Sequence, residues 1–271
     1  VLAEWGVPFC SLTFHFDGSP QEYSNYELSS GEFYGRMRAK GVARTAAVNM
    51  EVFRRAFEPL LQQGQDILYL GFSSGLSGTC QAGAMAAAEL QEQYPQRKIL
   101  TVDTLAASGG EGLLLWLTLE EQRRGATLEQ AAAFAEGMKL KICHWFTVED
   151  LMFLKRGGRV SAATALLGTA LQIKPVMHVD NDGHLINVSK ARGRKASISA
   201  LVDRMEKTGI DIASQTVFIS HGDCQADAEY AAELMRTRLG VKDILINYVG
   251  PVIGSHSGPG TLAIFFLGSE R

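Results

Sequence analysis

The segment Gly71-Phe72-Ser73-Ser74-Gly75-Leu76-Ser77-Gly78-Thr79 concentrates hydroxyls and glycines between an apolar run, Ile67 to Leu70, and an alanine-rich helical pattern, Gln81 to Leu90. A strand that turns into a helix leaves backbone N–H groups unpaired at the helix start. Those donors, with the helix dipole, favour a bound anion. Ser77, Gly78 and Thr79 would let a carboxylate or phosphate approach the backbone, with Ser73 and Ser74 on the same loop. The loop lacks G-x-x-x-x-G-K-[ST], which argues against a nucleoside triphosphate site. Gly71 to Gly75 also fits G-x-S-x-G, the nucleophile elbow of serine hydrolases. Several loop residues separate Ser73 from the helix and no acidic partner stands out, so an esterase using Ser73 and His256 is the alternative reading.

Three further clusters could serve a site. In Gly250-Pro251-Val252-Ile253-Gly254-Ser255-His256-Ser257-Gly258-Pro259-Gly260, glycines and prolines predict an irregular loop that aims one imidazole, and Gly254 lies beside it. His256 could donate to a carboxylate or act as a general acid or base. Arg156-Gly157-Gly158-Arg159 places two guanidinium groups around a glycine hinge, a fork for an anion. Ala191-Arg192-Gly193-Arg194-Lys195 is a basic stretch before a helix and could dock an acidic partner through Arg192 and Arg194.

The elements that must position these residues follow from periodicity. Phe9 to Phe16 reads as a strand and Asp17-Gly18-Ser19-Pro20 as a turn. Ser29 and Glu32 have capping-box spacing. Asn49 would cap a helix from Met50 to about Gln63, with Val52, Phe53, Phe57 and Leu60 on one apolar face. Strands at 66–72, 98–103 and 141–147 alternate with helices at 79–93, 108–124 and 127–137. This is the pattern of a mostly parallel sheet covered on both faces. After residue 155 the order changes. A helix at 161–171 precedes strands at 174–179 and 184–189, joined by the hairpin signal Asn181-Asp182-Gly183. Helices at 195–207 and 226–239 and strands at 216–221, 243–249 and 261–267 complete a mixed sheet. The fold class is α/β with two α/β domains, 1–155 and 156–271.

Bulk properties narrow the function. With 271 residues, 26 basic and 29 acidic side chains and a net charge of -3, the chain has no basic block for nucleic acid. Its apolar runs are short of a bilayer span, which allows at most transient membrane contact. Cys10, Cys80, Cys143 and Cys224 lie far apart, and the histidines form no H-x-x-x-H pair, so no metal site is expected. Free thiols and no signal-peptide pattern suggest a cytoplasmic protein.

Together these stretches resemble the DegV family, which includes the fatty-acid-binding component of bacterial fatty-acid kinase. The matching residues are Pro8 to Gly18, Ser74 to Thr79, Val102-Asp103-Thr104, Arg156 to Arg159, Lys174-Pro175 and Ile253 to Gly260. The resemblance implies one long-chain fatty acid between two α/β domains, no cofactor and no catalytic residue of the chain's own. A separate ATP-dependent kinase subunit would make the acyl phosphate. It also implies that Thr45, Ser77 and His256, with Gly78, Thr79 and Arg159, hold the carboxylate, and that Arg192 docks the kinase. Thr45-Ala46-Ala47-Val48 stands where the family reads Thr-Ser-Gln-Pro, so fewer head-group bonds are expected there. The family opens with a strand ending in Asp-Ser-Thr, and nothing like it precedes Val1. A third reading is kinship with the substrate domain of dihydroxyacetone kinase, which would need a histidine adduct with a small ketone.

Overall fold

A computed structural model of the chain describes residues 2–161 and 172–271. The helix expected at 161–171 lies, but for Ser161, outside the described residues. A short helix α1 (Leu2–Trp5) leads into an antiparallel meander in which β1 (Thr13–Phe16) lies between β2 (Glu22–Ser24) and β3 (Ala43–Ala46). The strand expected from Phe9 thus begins only at Thr13. Between β2 and β3 runs α2 (Ser30–Arg38), whose N-cap Ser29 accepts from the Glu32 N–H. The return half of the capping box is replaced by an ion pair of Glu32 with Arg36, one turn on, at 2.6 Å. Phe14, Phe33 and Tyr34 fill the space between meander and helix without solvent exposure.

Helix α3 (Met50–Gln62) is capped by the Asn49 side chain. Its buried stripe is Phe53, Phe57 and Leu61, one residue round from the expected face, and Val52 is 41% exposed. Strands β4 (Ile67–Gly71) and β5 (Ile99–Asp103) pair in parallel, joined through α4 (Thr79–Gln93). Alternation divides the two faces. Ile67, Tyr69 and Ile99 pack under α3 and α4. Leu68, Leu70, Leu100 and Val102 pack against α5 (Gly109–Arg123) and α6 (Leu128–Met138). Thr127 and Gln130 form a complete capping box at the start of α6.

The second sheet contains β6 (Ile142–Thr147), β7 (Ile173–Val179), β8 (Leu185–Arg192), β9 (Thr216–His221), β10 (Asp243–Tyr248) and β11 (Leu262–Leu267). Their order is β10-β9-β11-β6-β7-β8. Only β9 and β10 are parallel; β11 lies antiparallel to β9 and to β6, and β7 to β6 and β8. Strand β6, which its place in the alternation put in the first half, is therefore a central strand of this mixed sheet. All six of its residues are buried, so it needs a strand on each side, and the apolar β11 supplies one. The division expected at residue 155 falls inside α7 (Leu151–Arg156), a helix capped by Asp150.

One face of the large sheet packs on α8 (Arg194–Thr208) and α9 (Gln225–Leu239) through Val217, Ile219, Ile264 and Phe266. The other face turns Phe218, Ala263 and Phe265 towards α5. The glycine- and proline-rich segment after β10 is not the irregular loop its composition suggested. Residues Pro251–Ser257 form helix α10. Pro251 sits at the helix start, where its fixed φ suits the first turn and its missing N–H costs nothing. Gly258, at φ 80°, ends it.

Candidate functional site

The loop after β4 is organised by Ser73. That side chain is wholly buried, donates to the Gly183 carbonyl at 2.9 Å and accepts from the Gly75 N–H at 3.2 Å. The Ser73 carbonyl accepts from both Leu76 and Ser77 at 3.1 Å. The Ser74 N–H donates to Asp103 at 3.2 Å. Ser73 thus ties the loop to the β7–β8 hairpin, and its hydroxyl meets no imidazole among the described residues. The geometry gives it a structural part rather than that of a nucleophile, and His256 is engaged elsewhere.

Residues 77–79 start α4. The Ser77 hydroxyl accepts from the Thr79 N–H at 3.2 Å and lies 2.9 Å from the Thr79 hydroxyl. Gly78 is the N-cap and offers no side-chain oxygen to the first turn. A helix start capped in this way keeps its dipole available to an external anion.

Helix α10 brings His256 to Thr45 on β3, with Nε2 2.8 Å from the Thr45 hydroxyl. The other ring nitrogen, Nδ1, is buried without a partner among the described residues. Gly157 lies against it, so close that a Cβ there would come within 2.2 Å of Nδ1. Burial, reinforced by the Arg159 charge, pulls the His256 pKa down to about 4, so the ring is neutral at ordinary pH. Arg159 donates to the carbonyls of Gly157 and Leu76, the latter at 3.0 Å. Burial lowers its pKa. It forms no ion pair among the described residues.

Thr45, Ser77, Gly78, Thr79, Arg159 and His256 all line one cavity of about 980 Å³. Away from them the walls are largely apolar, among them Trp5, Phe53, Phe57, Leu70, Phe146 and Phe265. Such a volume lies at the upper end of small-molecule pockets, roughly 300–1,000 Å³. The Leu-Ser-Gly-Thr loop, Thr45, Arg159 and His256, far apart in sequence, thus meet on one wall system.

Other expected positions fall elsewhere. Gly254 faces α2, where a Cβ would meet the Tyr34 hydroxyl at 2.5 Å, and does not line the cavity. Ser73 and Ser74 do not line it either. Arg194 is not a free docking residue: it bonds Asp227 at 2.8 Å and the Gly260 carbonyl at 2.6 Å. Arg192 is exposed at the end of β8. Among the described residues one group could offer three ligands to a metal, Asp180, Asp182 and His184. It belongs to the hairpin turn, where Asp180 already accepts from the N–H groups of Asp182 and His184 at 3.0 and 2.8 Å. No helix among the described residues is long and apolar enough to cross a membrane.

Sequence reasoning passed over Glu111, whose carboxyl lines the same cavity from α5. The signal was there: an acidic residue inside Gly109-Gly110-Glu111-Gly112-Leu113-Leu114, on a helix that carries no other charge until Glu120.

The chain matches the family described as "Uncharacterised protein, DegV family" over residues 1–269. It is 46% identical to a DegV domain-containing protein of Clostridium perfringens over 245 residues, covering 90% of this chain and 84% of the relative. Among solved structures, a DegV family protein from Thermus thermophilus, described for its fatty acid binding, superposes with a TM-score of 0.85 at 29% identity, covering 99% and 94% of the two chains. The fatty acid kinase B3 protein of Streptococcus pneumoniae, loaded with linoleic acid, has the same fold with a TM-score of 0.85 at 22% identity, covering 95% and 89%. On the match along nearly its whole length, the chain belongs to the DegV family.

Proposed function

We propose that this chain binds a long-chain fatty acid in its cavity and presents the carboxylate to a separate ATP-dependent kinase. One observation carries the reading. Arg159, a half-buried cation with no acidic partner among the described residues, lies at a hydroxyl-lined part of a largely apolar cavity. A guanidinium so placed leaves room for an anion that is attached to a greasy body. The Thermus thermophilus protein, described for its fatty acid binding, supports the same ligand class.

The tail supplies most of the affinity. A sixteen-carbon acid buries about fourteen methylenes at ~0.8 kcal/mol each, against association costs of about 4–15 kcal/mol. The head group supplies orientation. Arg159, Ser77 and Thr45 hydrogen-bond the carboxylate, and the start of α4 faces it. On the kinase, a carboxylate oxygen attacks the γ-phosphorus of ATP, the new O–P bond forms and ADP departs. Arg159 and His256 then hold an oxygen-rich group whose charge has grown. The head-group residues come from both halves of the chain, Thr45 and Ser77 from the first and Arg159 and His256 from the second.

Native mass spectrometry of the purified chain, with lipid extraction, tests the first step. An acyl chain should leave with the protein, or added palmitate or oleate should bind. A chain that stays empty and ignores both overturns the reading.

A further inference from the structure

Ser108, Glu111, Gly112 and Leu115 form a stripe of α5 that faces the cavity. Their spacing, i, i+3, i+4 and i+7, is that of one helix face. Glu111 is partly buried, and among the described residues its carboxyl makes no hydrogen bond or ion pair. Across from the first turn of α5 stands Ser220 on β9. It is on the same sheet face as Phe218, 4% exposed and also lining the cavity. A Cβ on Gly109 would lie 3.0 Å from the Ser220 hydroxyl, so that glycine is what lets strand and helix approach. Among the described residues the Ser220 and Ser108 hydroxyls likewise have no hydrogen-bond partner, and Ser108 is held at φ 55°. Three unpartnered oxygen-bearing side chains therefore stand in a wall whose neighbours are Leu115, Phe218 and Phe265.

A purely hydrocarbon tail is a poor match for that wall. Covering these groups with methylenes removes water from them and returns no hydrogen bond, which costs free energy for each. We infer that Glu111, with Ser108 and Ser220, forms a second polar subsite in the tail region, which takes a hydroxyl carried along the chain of an oxygenated fatty acid. The inference rests on the fatty-acid reading of the cavity and names the kind of acid. The chemistry suits a neutral partner. Burial alone raises the Glu111 pKa to about 8, so near neutral pH the group is a carboxylic acid, able both to donate and to accept. A ligand hydroxyl can do the same in return. The ligand's own carboxylate is better served by Arg159, which has no counterpart on this wall.

The test is the binding of stearic acid and of hydroxystearic acids, with the hydroxyl at successive positions, to the delipidated chain and to its Glu111→Leu and Glu111→Gln variants. In the parent protein at least one positional isomer should bind about tenfold or more tightly than stearic acid. Glu111→Leu should erase that preference while binding stearic acid at least as well as the parent, which also shows that it is folded. Glu111→Gln, which keeps a donor and an acceptor, should retain part of the preference. A parent that binds stearic acid but favours no isomer overturns this inference and leaves the fatty-acid reading standing. So does a preference that survives unchanged in Glu111→Leu. A chain that binds none of these acids overturns both.

Discussion

Strands β4 and β5 form one parallel pair, each runs into a 15-residue helix, and both helix starts open onto the same cavity. The two starts have opposite chemistry. At α4 the N-cap is Gly78, the first turn carries no acidic residue, and Ser77, Thr79 and Arg159 stand around it. At α5 the first turn carries Glu111, a carboxyl of the protein's own at the place an outside anion would take. The backbone dipole is the same in both helices. Three residues, Gly78, Glu111 and the distant Arg159, decide which end of an amphipathic molecule each start receives. An α/β crossover thus supplies anion-binding ends by default, and the sequence selects among them by adding or withholding an acid.

The sharpest way to break this contrast is to remove the unpaired cation from the α4 side. Arg159→Leu should weaken stearate by the worth of a charge-assisted hydrogen bond, about 1.5–3 kcal/mol, while octadecanol binding stays near that of the parent. Isothermal titration with both ligands reads the difference. Equal losses for acid and alcohol would mean that Arg159 shapes the cavity and does not hold the charge.

His256 tests what the same end does after binding. Its ring is neutral and tied to Thr45. His256→Ala should leave fatty-acid affinity within about threefold of the parent, a difference below 1 kcal/mol. It should reduce acyl-phosphate formation by about tenfold or more with the kinase, the worth of one electrostatic contact to the growing charge. Unchanged turnover would remove His256 from the transfer step.

Ser73 probes the scaffold under α4. Losing its bond to the Gly183 carbonyl should cost about 1–3 kcal/mol, read as a lower urea midpoint for Ser73→Ala. Binding at saturating ligand should persist. A fluorophosphonate should label neither protein; labelling of the parent at Ser73 would restore the esterase reading.

How far the sequence discloses this contrast depends on the kind of signal. The ends of α4 and the caps at Ser29 and Asn49 could be read closely, because each rests on local spacing and local hydrogen bonds. The place of β6 could not, since a fully buried strand reads the same in either sheet and its partner β11 lies more than a hundred residues away. Helix α10 was hidden by composition. Pro251 and Gly254 look like loop residues until the first is seen at a helix start and the second against Tyr34. Thr45, Ser77, Arg159 and His256 were found through motif resemblance, whereas Glu111 belongs to none of the motifs singled out, and only the cavity shows what it faces.

The smallest effect comes from proton linkage, and it separates the two sides by sign. Burial raises Glu111 from its ordinary 4.5 to about 8 and lowers His256 from 6.5 to about 4. Glu111 therefore contributes stability that is complete below pH 4.5 and is lost as pH climbs through 8, because the folded chain keeps a proton that the unfolded chain has released. His256 contributes stability that is present above pH 6.5 and is lost as pH falls through 4, because the unfolded chain takes up a proton that the folded chain refuses. Urea midpoints measured across pH should show Glu111→Gln flattening the alkaline limb only, and His256→Ala flattening the acid limb only. Profiles parallel to the parent would mean that water reaches these groups in the ligand-free protein and erases the burial that sets the two helix starts apart.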